Sequence, residues 1–293
     1  MIKLKPLLKP LFFALKLLLT GYILWRIFAR IAFVDVLQSI LELPTWLILF
    51  LILSSVLRHL IQYQNWRFSL QLNPFYRENK RDVLTSYLIG LPLRFLIPGG
   101  SASMGKVLFV DNSSRHASLF SFGAERAFQT WATWTFALAA GLFYFGGSAL
   151  VWVLVGFAVI ALAPLWAYGI FGLFEKSRVL MDGYRQKAPK IASLQLFGAL
   201  IMHLQYWLIL RQSGVIPLFQ SLMRMSLTNF ANSIPVTVAG LGLRESFAIH
   251  FLADAGFNPA QAVAATLTLF IFQDILPGIA GAFVLLSAKR KTY

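Results

Sequence analysis

Apolar positions run along this chain in long blocks, not in the half-and-half alternation of a soluble amphipathic fold. Thr45–Leu57, Ala149–Ala163 and Ala262–Ile271 hold almost nothing but apolar residues. Each lies in a stretch of about 20 mostly apolar positions, the length that crosses about 30 Å of hydrocarbon. Six blocks predict complete helical spans: residues 10–28, 45–65, 127–147, 149–171, 191–210 and 259–286. Two more are interrupted. Residues 83–105 contain Gly90, Pro92, Arg94, Pro98, Gly99, Gly100 and Gly105, and residues 217–256 are broken by Pro235, Gly240 and Gly242. Proline removes a helical hydrogen bond and glycine weakens a helix interior, so neither block predicts one straight helix. Between the first two spans, Ile31–Leu43 carries Asp35, Gln38 and Glu42 at helical intervals, which predicts a short amphipathic helix on the outer surface.

Composition sharpens this picture. Of 293 residues 58% are hydrophobic and 13% charged, which excludes a soluble globular protein. The first block contains Lys16 and lacks a small-residue cleavage pattern, so it reads as a retained span and not as a signal peptide. The formal net charge is +15. A nucleic-acid binder needs a solvated basic face, whereas here the Lys and Arg lie between or inside apolar blocks, so no nucleic-acid partner is expected. Sixteen of the 26 cations instead fall in loops on one side, among them Lys3, Arg77, Lys187 and Lys289. The opposite loops carry only Arg26, Arg30 and Arg211. The positive-inside rule therefore predicts a multi-pass protein of the cytoplasmic membrane with both termini cytoplasmic.

That orientation constrains the interrupted blocks. Residues flanking 83–105 fall on the cytoplasmic side at both ends, so this block predicts a re-entrant hairpin. Arg211 and Asp254 both fall outside, so 217–256 predicts a second hairpin entering from the opposite face. The expected fold class is thus an all-α polytopic membrane protein, with about six transmembrane helices plus two opposed re-entrant hairpins in an inverted repeat. Residues 1–293 would form a single integral membrane domain, with repeats of about 1–147 and 149–293. Both hairpins carry Ile-Pro followed by a Gly seven residues after the proline, Pro98 to Gly105 and Pro235 to Gly242. Corresponding interrupted segments in two halves point to a transporter binding site near the midplane.

Charged groups at that depth are costly, so they pair, face a cavity or function. Arg94, Lys106, Arg224 and Arg244 belong to or flank the hairpins and predict an anion site. Ser101, Ser103, Asn232 and Thr237 would donate hydrogen bonds, and backbone N–H groups around Gly99–Ser101, Ala239–Gly240 and Gly242 would add positive dipole ends. The alternative is that these groups only satisfy freed backbone. Glu125, Arg126, Glu245 and Asp274 form the expected ion-pair and coupling set. Adjacent helical residues point about 100° apart, so Glu125-Arg126 and Arg244-Glu245 each predict pairs to other segments, not within the dipeptide. For Asp274 two readings stand: a salt bridge to Arg224 or Arg244, or a coupling carboxylate. Lys16 and Arg58 read as interfacial cations that snorkel. The four histidines lack metal-type spacing and there is no cysteine, so neither metal nor cofactor is expected. No phosphate-binding loop, nucleophile elbow or paired-carboxylate pattern is present, which argues against an enzyme.

Three stretches carry a family resemblance: Ile97-Pro98-Gly99-Gly100 through Gly105, Gly123-Ala124-Glu125-Arg126, and the run from Asn232 to Glu245 containing Pro-x4-Gly-x-Gly-x-Arg-Glu. They resemble the flippase-like membrane domain of bacterial lysyl-phosphatidylglycerol synthases and its stand-alone relatives. The resemblance implies a lipid flippase moving a phospholipid, glycolipid or polyprenyl-phosphate lipid, with membrane lipids as partners and a homo-oligomer as a further expectation. The chain departs from the family at Lys106, where an acidic residue is usual, at Phe109 in place of Arg, and at Gln129 in place of Asp. A secondary transporter of a small soluble anion is the alternative.

Overall fold

The apolar blocks fold as helices, and among the described residues no strand forms. The computed structural model describes residues 14, 18, 20–27, 29, 33–96, 98–173, 180–234, 236–237 and 240–288, leaving aside the side chains of 96, 98–102, 171 and 172. Helix α1 covers residues 20–27, α2 Phe33–Leu41, α3 Thr45–Leu70 and α4 Lys80–Leu96, and a 3-10 arm, Pro98–Phe109, follows. Next come α5 (Arg115–Tyr144), α6 (Ser148–Ala161), α7 (Ala163–Leu173), α8 (Met181–Ser213) and α9 (Leu218–Phe230). Helices α10 (Leu243–Ala253) and α11 (Pro259–Phe270), a π turn at Ile271–Ile275, and α12 (Leu276–Ser287) complete the series. Lys16 and most of the predicted first span lie outside the described residues.

Three helical stretches are long and apolar enough to cross a membrane: Thr45–Leu70, Met181–Ser213 and Pro259–Ser287. The predicted span 149–171 is not one straight helix. Helices α6 and α7 meet at a bend of 53°, and they make a fourth span only if the pair counts as one. Pro164 lies at the start of α7; it has no N–H for the carbonyl of Ile160, so the helix breaks just before it. The predicted span 127–147 lies in α5 as far as Tyr144, where this 30-residue helix ends; it is started by Ser114, whose side chain accepts from the Ala117 N–H at 3.2 Å. Gln129, Thr130 and Thr133 make this helix more polar than a lipid-surrounded span, for a reason that the cavity below supplies.

Both interrupted blocks reverse the chain. The 3-10 arm packs back along α4, and α10 packs back on α9. Helix α2, predicted as an outer amphipathic helix, buries Val36 against Val263 and Ala264 of α11 and exposes Phe33, Val34 and Leu41. The core is divided. One cluster joins Leu47, Leu51, Tyr206, Met225, Leu252 and Leu269. A second joins Trp66, Leu70, Val83, Tyr87, Val107 and Val110, and a third joins Leu72, Phe128, Tyr184 and Ile191.

Helix α12 lies against α4 at backbone distance, with Gly281 facing the Leu88 carbonyl and Gly278 facing the Phe95 ring. Small residues let helices approach this closely in a membrane, where packing must replace the hydrophobic drive. A Cβ at Gly281 would overlap the Leu88 carbonyl oxygen, which is backbone and cannot swing away. Gly281→Val is therefore expected to lower stability by about 1–3 kcal/mol or more, read as the melting temperature of the purified protein. Gly169→Val on α7, where the added carbon meets open space, is the control and should melt like the wild type.

Candidate functional site

A cavity of about 460 Å³ opens between the core clusters, walled by α3, α4, the 3-10 arm, α5, α8, the α9–α10 connection and the π turn. Its α5 wall is built by Phe122, Glu125, Arg126, Gln129, Thr130 and Thr133. These positions recur at three- and four-residue steps and so form one helical face. The polar character of α5 is the cavity's lining.

The second interrupted block contributes Arg244. Gly240 and Gly242 both have positive φ, 77° and 82°, a conformation that side-chain-bearing residues rarely adopt. This turn ends at the start of α10, where the Glu245 carboxylate accepts from the Gly242 N–H at 2.6 Å. The other oxygen of the same carboxylate accepts from Arg244 Nε at 3.2 Å and Nη2 at 3.0 Å. Glu245 thus caps the helix and fixes the guanidinium that faces the cavity, which gives the Gly-x-Gly-x-Arg-Glu run a physical meaning. The pairing within the dipeptide corrects the sequence expectation: Glu245 is turned back toward the helix start, and the long Arg244 side chain folds over to meet it.

Two further ion pairs line the cavity. Lys106 Nζ lies 2.5 Å from Glu125 and 3.7 Å from the centroid of the Trp66 ring. Arg94 donates to Asp274 at 2.5 Å across the contact between α4 and the last helical stretch. Asp274 therefore has Arg94 as its partner, and neither Arg224 nor Arg244. The π turn that carries Asp274 adds a residue to the helix and re-aims the side chains on it. Pro277 has no N–H to offer the Gln273 carbonyl, and His59 Nε2 approaches that carbonyl at 3.2 Å. A carbonyl only accepts, so Nε2 carries the proton, and in neutral His59 the Nδ1 atom accepts from the Tyr87 hydroxyl at 2.7 Å.

Two cations in the cavity have no carboxylate partner among the described residues. Arg126 donates to Ser103 Oγ at 2.6 Å and to Gln129 Oε1 at 2.9 Å. Arg58 is at the cavity wall in mid-α3, and its Nε is buried without a partner. The snorkelling expectation for Arg58 is corrected by this inward direction. Thr237 Oγ1, Asn229 Nδ2 and Gln273 Oε1 are further buried polar atoms without partners, all on cavity-lining residues. Buried polar groups are normally satisfied, so such a cluster at one cavity marks a place where a polar ligand or water completes the bonding. With Arg58, Arg94, Lys106, Arg126 and Arg244 set against Glu125, Asp274 and Glu245, the site carries a net charge of +2.

Of the residues singled out from sequence, Arg94, Ser103, Lys106, Asn232, Thr237, Gly240 and Arg244 line the cavity, as do Glu125, Arg126 and Asp274. Arg224 does not. Its Nη1 donates to the Phe251 carbonyl at 2.5 Å and lies 3.9 Å from Asp254, so it serves the C-terminal end of α10. Gly242 also stays outside the cavity; a Cβ there would meet Ile23 and Leu24 of α1. The Ser101 side chain and Ala239 lie outside the described residues. Sequence reasoning missed His59, Gln62, Gln129, Thr133, Gln195 and Gln273. Their signal was present as polar positions inside apolar helices, Gln62 and Gln195 among them, which bond each other across α3 and α8 at 3.1 Å.

Among known proteins, the family model described as the lysylphosphatidylglycerol synthase TM region matches residues 13–281. No curated protein and no solved structure matches.

Proposed function

We propose a lipid-translocating function for this chain, which belongs to the family of the lysylphosphatidylglycerol synthase TM region. The observation that carries this reading is the cationic cavity, in which Arg58 and Arg126 have no carboxylate partner and four buried polar atoms lack partners. A phosphate offers several strong acceptor oxygens to guanidinium forks, and charge-assisted bonds of this kind are the strong ones. The volume of about 460 Å³ suits a headgroup with its glycerol, and the acyl tails would stay in lipid. In this reading the chain is one multi-pass domain of the cytoplasmic membrane with cytoplasmic termini. It has six spans and two opposed hairpins related as an inverted repeat, and it binds and moves a phosphate-bearing lipid without covalent chemistry. The pairs Arg94–Asp274 and Lys106–Glu125 join separate elements, and they are the contacts that would part and re-form as access alternates between leaflets.

The test is translocation in proteoliposomes. Purified protein is reconstituted with headgroup-labelled phosphatidylglycerol and, in a parallel preparation, loaded with labelled inorganic phosphate. Lipid movement above protein-free vesicles, without phosphate efflux, is the expected result. Phosphate efflux without lipid movement would replace this reading by transport of a small soluble anion through the same cavity.

A further inference from the structure

Lys106 is 5% exposed and Glu125 7% exposed, yet both line the cavity. The lysine is held on three sides. Glu125 faces the ammonium at 2.5 Å, the Trp66 ring lies 3.7 Å from it, and the Phe122 ring 5.6 Å. Trp66 is itself fixed, fully buried with its indole N–H donating to Ser86 Oγ at 2.8 Å. The lysine stem runs over Gly90 of α4, where a Cβ would come within 3.0 Å of Lys106 Cδ. A carboxylate with two aromatic faces and a groove for an alkyl stem is the chemistry that recognises an alkylammonium ion.

We infer that Lys106 fills an ammonium cage inside the headgroup cavity and so determines specificity: the chain accepts phosphate headgroups without an amino group and rejects those that carry one. This rests on the lipid-translocating reading above. The physical basis is occupancy together with charge. A headgroup amine entering the cavity finds the cage of Glu125, Trp66 and Phe122 already taken by Lys106. It otherwise meets Arg58, Arg94, Arg126 and Arg244, of which two are unpaired with carboxylates, while the Asp274 carboxylate is already held by Arg94. A headgroup with phosphate and hydroxyls meets Arg58 and Arg126, which have no carboxylate partner among the described residues, and the buried polar groups of Thr237 and Asn229. Lys106 acts here by exclusion, as a tethered occupant, while the phosphate is held elsewhere in the cavity.

The experiment compares binding of phosphatidylglycerol and phosphatidylethanolamine to purified wild type and Lys106→Ala, with propylammonium as a soluble mimic of the lysine side chain. Wild type is expected to prefer phosphatidylglycerol by about tenfold or more, and Lys106→Ala to lose most of that preference by gaining phosphatidylethanolamine binding. Millimolar propylammonium should restore the preference in Lys106→Ala and leave the wild type unchanged. The double variant Lys106→Ala with Glu125→Gln, which removes the unpaired carboxylate, should fold and gain nothing for phosphatidylethanolamine. An unchanged lipid preference in Lys106→Ala, with phosphatidylglycerol still bound, overturns the cage and leaves the translocating reading standing. Failure of the wild type to bind either lipid overturns the translocating reading itself, and the cage with it. If Lys106→Ala is recovered only unfolded, propylammonium present during purification should rescue it, and failure of that rescue also overturns the cage.

Discussion

Arg126→Ala is expected to lower headgroup binding and lipid movement by about 10- to 100-fold, the loss that follows when a charge-assisted hydrogen bond worth about 1.5–3 kcal/mol is removed. Adding Arg58→Ala should deepen the loss to 100-fold or more, because the two guanidiniums without carboxylate partners would both be gone. These residues differ from Arg94, Lys106 and Arg244, each of which faces a carboxylate at 3.0 Å or less. Removing one of those three would leave an unpaired buried acid and confuse a folding defect with a functional one. Arg126 leaves behind only a hydroxyl and a side-chain amide, Ser103 and Gln129, so its removal costs the fold little. The matched control is Arg224→Ala, on α9 with its side chain at the C-terminal end of α10 and away from the cavity, which should leave lipid movement within twofold of wild type. Headgroup-labelled lipid translocation in proteoliposomes, with protein content equalised, reads all of these. A full rate in the Arg58/Arg126 double variant would remove the basis for a phosphate-binding cavity.

The largest structural effect is expected at Glu245. Its carboxylate is 1% exposed and serves two groups, the Gly242 N–H at the head of α10 and the Arg244 guanidinium. Glu245→Ala strips a buried guanidinium of its counter-charge, a change that costs about 3–5 kcal/mol, and removes a helix cap worth about 1 kcal/mol. The melting temperature should fall by on the order of 10 °C or more at the 2–4 °C per kcal/mol usual for chains of this size. Glu245→Gln keeps the shape and one acceptor oxygen, so it should recover part of the loss, with the remainder reporting the charge. A melting temperature for Glu245→Ala within about 2 °C of wild type would mean that the carboxylate does not hold Arg244 in place.

Both expectations depend on distinctions that residue type alone does not make. Arg58, Arg94, Arg126, Arg224 and Arg244 look alike in a sequence, each an arginine in or beside an apolar block. Folded, three are neutralised by acids near in space or in the chain, and two are not. The pairing of Arg94 with Asp274 joins positions 180 residues apart. It depends on α12 approaching α4 through Gly278 and Gly281 and on a π turn that sets the direction of Asp274. Nothing in the local sequence around Asp274 selects Arg94 over Arg224 or Arg244. The cage around Lys106 is likewise assembled from α3, the 3-10 arm and α5.

What the sequence determined by itself is the set of properties that depend on composition and short range. Apolar block length requires helices in a membrane, proline and glycine interrupt two of those blocks, and the run from Gly240 to Glu245 carries its own turn and cap. Tertiary structure decided the rest: the bend at Leu162, the removal of Arg224 and Gly242 from the site, the inward turn of Arg58, and the gathering of polar residues from several helices around one cavity. The physical reason is that helical periodicity gives the direction of a side chain relative to its own axis alone. Which neighbour it meets depends on how the helices are packed, and that packing places a charge beside a counter-ion or leaves it facing an open cavity.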